Sequence, residues 1–152
     1  MATNVSRKGF WPAKSQAAGE PTARKWVAGN ALTAGDACIL SQGYAGLALA
    51  ASGSLLGVAA NDAAIGADVY VYDDPATIFV GQCTTSYTTA MRGKIVDITG
   101  ATGAMEIAQS TTSTSVVTIL QEIISDDNII GPEKAKVLFR ITKHQLNGTQ
   151  TA

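Results

Sequence analysis

Gly66-Ala67-Asp68-Val69-Tyr70-Val71-Tyr72-Asp73-Asp74-Pro75 and, after Ala76, Thr77-Ile78-Phe79-Val80-Gly81-Gln82-Cys83 are the two runs that decide the fold class. In the first, Val69 and Val71 alternate with Asp68, Tyr70 and Tyr72, the period of two that sends successive side chains to opposite faces of a strand. Asp73-Asp74-Pro75 breaks the run, because proline lacks an N–H and the aspartates favour turns. The second run is rich in β-branched and aromatic residues. With only a short acidic turn between them, the pair reads as a hairpin.

Working outward, short apolar runs separated by Gly, Asn, Asp and Ser recur at intervals of about eight to twelve residues, the signature of an all-β sandwich or barrel. Strands are expected at Ala37–Ser41, Leu55–Ala59, Lys94–Ile98, Val116–Ile124 and Lys134–Thr142. Val116–Ile124 fits a buried strand or a short helix by spacing, and its β-branched content favours the strand. Helical turns are expected only at 86–92 and in the Ala-rich stretch 45–51. The Thr/Ser run 110–115 reads as an exposed loop.

The chain of 152 residues is 46% hydrophobic and 15% charged, with a net charge of −1. That length suffices for one ordinary domain with its own core. The charged share is well below the usual figure of about a quarter. A disulfide scaffold, a disordered chain and a strongly basic nucleic-acid binder are all disfavoured. No apolar run reaches the ~18 residues of a membrane span, and the first residues lack the apolar core of a signal peptide. The sequence therefore predicts a protein made in a cytoplasm with no membrane partner.

Charge is unevenly placed. Arg7, Lys8, Lys14, Arg24 and Lys25 against Glu20 give residues 1–25 a net +4, whereas no basic residue occurs between Trp26 and Met91. Phe10, Trp11 and Trp26 fall in the same region, which has no hydrophobic period and carries Pro12 and Pro21. Residues 1–28 are thus read as an extended N-terminal arm, 29–146 as the β body and 147–152 as a disordered tail. The arm's cations would meet an acidic partner surface while its aromatics fill apolar pockets. Single-stranded nucleic acid is the rival recipient, and five cations without a further basic patch make it the weaker one.

Residues for catalysis are few. Any nucleophile relying on histidine must use His144, which stands at the end of the last strand and is expected to face solvent. Cys38 and Cys83 read as two buried free thiols, or else as one long-range disulfide. Neither belongs to a metal-binding spacing. The pairs Asp73-Asp74 and Asp126-Asp127 lack the alternate ligands, central glycine and distant glutamate of a calcium loop, so both read as solvated turns. No phosphate-cradling glycine loop or nucleophile elbow occurs. The reading is a non-enzymatic domain with no cofactor or metal.

Gly57-Val58-Ala59-Ala60-Asn61-Asp62-Ala63-Ala64-Ile65-Gly66 continuing through Pro75, then Phe79-Val80-Gly81-Gln82-Cys83, resembles the capsid decoration, or head-stabilising cement, proteins of tailed bacteriophages. Ala90-Met91-Arg92-Gly93-Lys94, Ile119-Leu120-Gln121-Glu122, Asp126-Asp127-Asn128, Gly131 and Lys136-Val137-Leu138-Phe139-Arg140-Ile141 continue the likeness, which covers about residues 30–146. The resemblance implies a β-tulip-like barrel or sandwich on the outer surface of the virion head. It would sit at junctions between major capsid protein subunits, often as a homotrimer, and reinforce the expanded shell. It also implies an arm reaching over neighbouring subunits, with Arg7, Lys8, Phe10, Trp11, Lys14, Arg24, Lys25 and Trp26 as the contact residues here.

Overall fold

In the computed structural model, which describes residues 9–13, 21–125, 128, 130 and 134–146, the alternating stretch Asp68–Tyr72 is a strand with Val69 and Val71 buried and Asp68 and Tyr70 exposed. The fold is all-β. The strands are β1 Trp11–Pro12, β2 Arg24–Val27, β3 Ala37–Ser41, β4 Tyr44–Leu47, β5 Gly57–Ala59, β6 Asp68–Tyr72, β7 Phe79–Gln82, β8 Ile95–Thr99, β9 Glu106–Ala108, β10 Val117–Glu122 and β11 Lys136–Ile141. A single 3-10 turn at Thr89–Met91 is the only helical element among the described residues, and no helix there is long and apolar enough to cross a membrane.

Two antiparallel sheets hold these strands, in the orders β2-β6-β5-β3-β4 and β1-β7-β11-β10-β8-β9. Each curls until its ends meet. Ala28, just past β2, forms a parallel bridge to Ala45 of β4, and Cys83, just past β7, forms one to Ile107 of β9. The Gly29 N–H donates to Ala45 O at 2.8 Å and the Thr84 N–H to Ile107 O at 3.0 Å. The results are two small five-stranded barrels, with β1 added to the second as a sixth strand.

The two barrels are copies of one plan. Replacing β2 to β6 by β7 to β11 in order converts the first strand order into the second. The registers agree as well: Cys38 opposite Gly57 corresponds to Val96 opposite Val117, Leu40–Ala45 to Ile98–Ile107, Ala59–Val71 to Ile119–Phe139, and Arg24–Val71 to Phe79–Phe139. The interior of the first barrel holds small residues, among them Cys38, Ala45, Ala59, Val69 and Val71. At the matching positions the second holds Val96, Ile107, Ile119, Val137 and Phe139, in a core that runs on into the seam between the barrels through Ala37, Leu55 and Val58.

Polar bonds close the seam. The buried Asp36 carboxylate accepts from the Thr33 N–H at 2.9 Å within its own turn, and from the Gly103 N–H at 2.8 Å and the Thr102 hydroxyl across the seam. After β11, the Gln145 side chain accepts from the Leu40 N–H at 2.6 Å and donates to Leu40 O at 3.0 Å, stitching the end of the second barrel to β3 of the first.

Several expectations change. The runs at 68–72 and 77–83 are not a hairpin, for β6 lies in the first sheet and β7 in the second. Both edges of β6 are taken, by β2 and β5. Asp73 is pulled back toward β2, while Asp74 starts a tight turn in which its carbonyl accepts from the Thr77 N–H at 3.0 Å. The acidic stretch is therefore the crossover between barrels. Residues 45–47 are strand and not a helical turn, because Gln42 and Gly43, both at positive φ, form a tight hairpin turn that returns the chain along β3. The 3-10 turn falls inside the stretch 86–92 where helix was expected.

Part of the stretch read as an arm is described. Within 1–28, Trp11–Pro12 and Arg24–Val27 are strands of the two sheets, because the second barrel lacks a side chain at Gly81 that Phe10 replaces and the first needs β2 to close. Residues 1–8, 14–20 and the tail 147–152 lie outside the described residues, as do Asp126 and Asp127.

Candidate functional site

The segment Gly9–Ala13 crosses the seam and lies along the outer edge of β7. The Gly9 N–H donates to Met105 O at 2.9 Å, the Phe10 N–H to Gly35 O at 2.8 Å and the Ala13 N–H to Ile78 O at 2.8 Å, while Trp11 and Pro12 pair with Val80 and Phe79. Phe10 is 3% exposed, its ring edge-on to Phe139 with centroids 5.0 Å apart. Such T-shaped contacts suit the aromatic quadrupole.

Two glycines make this seat. A Cβ at Gly81 would stand 2.8 Å from Phe10 Cδ1, and one at Gly35, which has a φ of +95°, would stand 3.2 Å from the Phe10 nitrogen. The first barrel shows why the seat exists: the position matching Gly81 is Trp26, whose indole packs against that barrel's core from its own strand. The second barrel takes its plug from elsewhere in the chain. Open space flanks the segment on both sides, a cavity of about 560 Å³ lined by Trp11, Val80, Ile123 and Leu138, and one of about 310 Å³ lined by Trp11, Ala34, Ala60 and Tyr72.

Of the residues expected to contact a partner, Arg7, Lys8 and Lys14 lie outside the described residues. Phe10 is removed from any outer surface by its burial, a correction that follows from the vacancy at Gly81. Trp11 is half-buried over the second sheet. Arg24, Lys25 and Trp26 sit together on β2, with Trp26 half-buried and both cations exposed. Asp73, itself buried, accepts from Arg24 Nε at 3.0 Å and from Trp26 Nε1 at 2.9 Å, and Lys25 Nζ stands 3.9 Å from the Asp68 carboxylate. The structure thus brings three of the eight together and ties them to acidic groups of the same barrel.

A second buried charge sits where β10 ends. Glu122 accepts from Arg92 Nε at 2.9 Å and from the Tyr87 hydroxyl at 3.0 Å. The Arg92 hydrogen bonds hold the carboxyl down at about 2. Burial and the bonded carboxylate push the Tyr87 hydroxyl up to about 12. Because the unfolded chain takes up this proton first, the stability from Glu122 is present above pH about 4.5 and lost as the pH falls toward 2. Acid titration followed by circular dichroism is expected to show Glu122→Gln as less stable at pH 7 and flatter between pH 5 and 2 than the native chain.

His144 does not face solvent. It is 5% exposed, its Nδ1 accepts from the Leu146 N–H at 3.0 Å, and its Nε2 is buried without a hydrogen-bond partner. The parallel bridge of His144 to Leu55 draws it into the seam. Burial lowers its pKa below 6.5, with Asp73 and Asp74 pulling the other way. The unfolded histidine is protonated first, so this group costs stability progressively as pH drops below about 6.5. Melting curves from pH 7.5 to 5 are expected to show a loss that His144→Leu suppresses.

Cys38 and Cys83 are buried free thiols, as the first of the two sequence readings had it, and burial pushes each up to about 12. Both stay protonated at neutral pH, a state in which sulfur is a poor nucleophile. Among the described residues no group of three or more His, Cys, Asp or Glu is placed to hold a metal ion.

Sequence reasoning missed Asp36, Gly35 and Gly81. The turn Thr33-Ala34-Gly35-Asp36 was legible as a turn, but its acceptor role depends on Thr102 and Gly103, more than sixty residues on. No protein-family model and no curated protein sequence matches the chain.

Proposed function

We propose that the chain is a structural decoration protein, binding the outside of an assembled phage head at junctions between major capsid subunits and stabilising the expanded shell. The observation that carries this reading is the anchoring of the segment Gly9–Ala13: Phe10 is buried in the seam, and the cations Arg7 and Lys8 closely precede it in the sequence. A cationic extension tethered to a docked body adds a contact at high effective concentration. It would also steer the body toward an acidic shell, with a salt-sensitive rate. The likeness of residues 30–146 to head-stabilising proteins supports the same reading, and the homotrimer and the virion location belong to it.

Co-sedimentation with purified expanded heads tests it. Binding is expected to saturate at a fixed ratio of copies to capsid subunits. Removing residues 1–8, which spares Phe10, is expected to weaken binding about tenfold and to flatten its salt dependence. No co-sedimentation, with the protein left in the supernatant, would overturn the proposal.

A further inference from the structure

We infer that the seat of Phe10 is an exchange site, which takes the Gly9–Ala13 segment of a second copy of this chain in place of its own. The observations start from the duplicated barrels. In the first, five strands and Trp26 make a complete unit. In the second, the same five strands close through the same bridge, and the Gly81 notch is filled by the segment Gly9–Ala13, which pairs with β7 and bonds Met105 O just before β9.

That segment is held as an added strand is held in peptide recognition, by main-chain pairing along an edge and one side chain in a pocket. Its pairing is short, Trp11–Val80 and Pro12–Phe79, with three further backbone bonds and the Phe10 ring. Cavities of about 560 and 310 Å³ leave both its flanks open. Among the described residues there is one such seat, since Trp26 occupies the matching place in the first barrel.

The occupant is a second copy because the seat is cut for this chain's own sequence: Gly9 passes Gly35, Phe10 enters beside Gly81, and Pro12, which has no N–H to leave unpaired, ends the strand. Each copy both gives and takes one segment, so exchange produces closed assemblies. Seven residues, 14–20, separate Ala13 from Pro21 in the sequence, and linking two sites through a chain of that length sets an effective concentration on the order of 1 mM. Exchange therefore competes when copies are crowded to that level.

A cross-linking experiment on the full chain tests this. Trp11 and Val80 are directly paired across antiparallel strands, a spacing that a disulfide spans. A Trp11→Cys chain and a Val80→Cys chain, mixed at about 1 mM, annealed and oxidised, are expected to give covalent dimers with one of each, in a yield that falls on dilution. Intramolecular closure of the Trp11→Cys/Val80→Cys double variant, with no mixed dimer from the single variants at about 1 mM, would overturn the inference. Should those variants fail to fold, a synthetic peptide of residues 7–15 added to full-length Phe10→Ala protein replaces them. The native peptide is expected to bind about 100-fold more tightly than its Phe10→Ala counterpart. Equal binding of the two peptides, or none, overturns it. Neither arm requires a phage head, so its failure is separate from failure of the decoration reading.

Discussion

Asp36→Ala is expected to lower stability by about 3–4 kcal/mol, or a fall of about 10 °C in Tm for a chain of this size. The carboxylate is fully buried and accepts from the Thr33 N–H, the Gly103 N–H and the Thr102 hydroxyl. Truncation strands donors that were bonded to a charge, each worth about 1.5–3 kcal/mol, and the partial exposure of this turn returns some of that through water. Because two of the three donors belong to the other barrel, the loss is expected to concentrate at the seam. Hydrogen exchange at Gly103 should quicken far more than at Val69 or Val71, deep in the first barrel. Urea denaturation showing a change under 1 kcal/mol would contradict the role assigned to this carboxylate.

Phe10→Ala is the companion prediction, with an expected cost of about 3–5 kcal/mol, the range for emptying a buried aromatic site. The ring touches Phe139 and covers Gly81, so its loss opens the second barrel to the two cavities already beside it. The matched position in the first barrel supplies a rescue. Gly81→Leu alone drives a side chain into the Phe10 ring and is destabilising. Combined with Phe10→Ala it fills the vacancy from the strand itself, as Trp26 does. The double variant is expected to be at least about 2 kcal/mol more stable than the sum of the single changes predicts. Additive costs would show that Phe10 and Gly81 do not share one space.

Much of the strand inventory was legible because it is local. Asp68–Tyr72 follows from alternation after the Gly66 turn and Ala37–Ser41 from an apolar run after the turn Thr33-Ala34-Gly35-Asp36, and both stand with the same bounds in the structure. Strands without a local signal were missed. Arg24–Val27 has two cations in four residues, and Glu106–Ala108 is three residues long and buried throughout, so neither shows a period. The duplication was hidden for a related reason. What the two barrels share is register and inwardness, and Cys38 for Val96 or Ala45 for Ile107 satisfies both without leaving a repeated sequence.

For the site, sequence alone marked the N-terminal concentration of charge and aromatics, and it could not divide the aromatics between core and surface. That division rests on Gly81, some seventy residues from Phe10, because a side chain is buried only where another position leaves room. His144 was misplaced for the same kind of reason, its burial depending on a bridge to Leu55 in the other barrel.

By itself, then, the sequence determined the all-β class and the strands that carry a local signal, since φ/ψ preference and side-chain alternation act within a few residues. Tertiary structure alone decided which sheet each strand joined, which aromatic became the plug and where the buried charges found partners. Those outcomes depend on close packing and on satisfying every buried polar group, which only distant segments brought together can do.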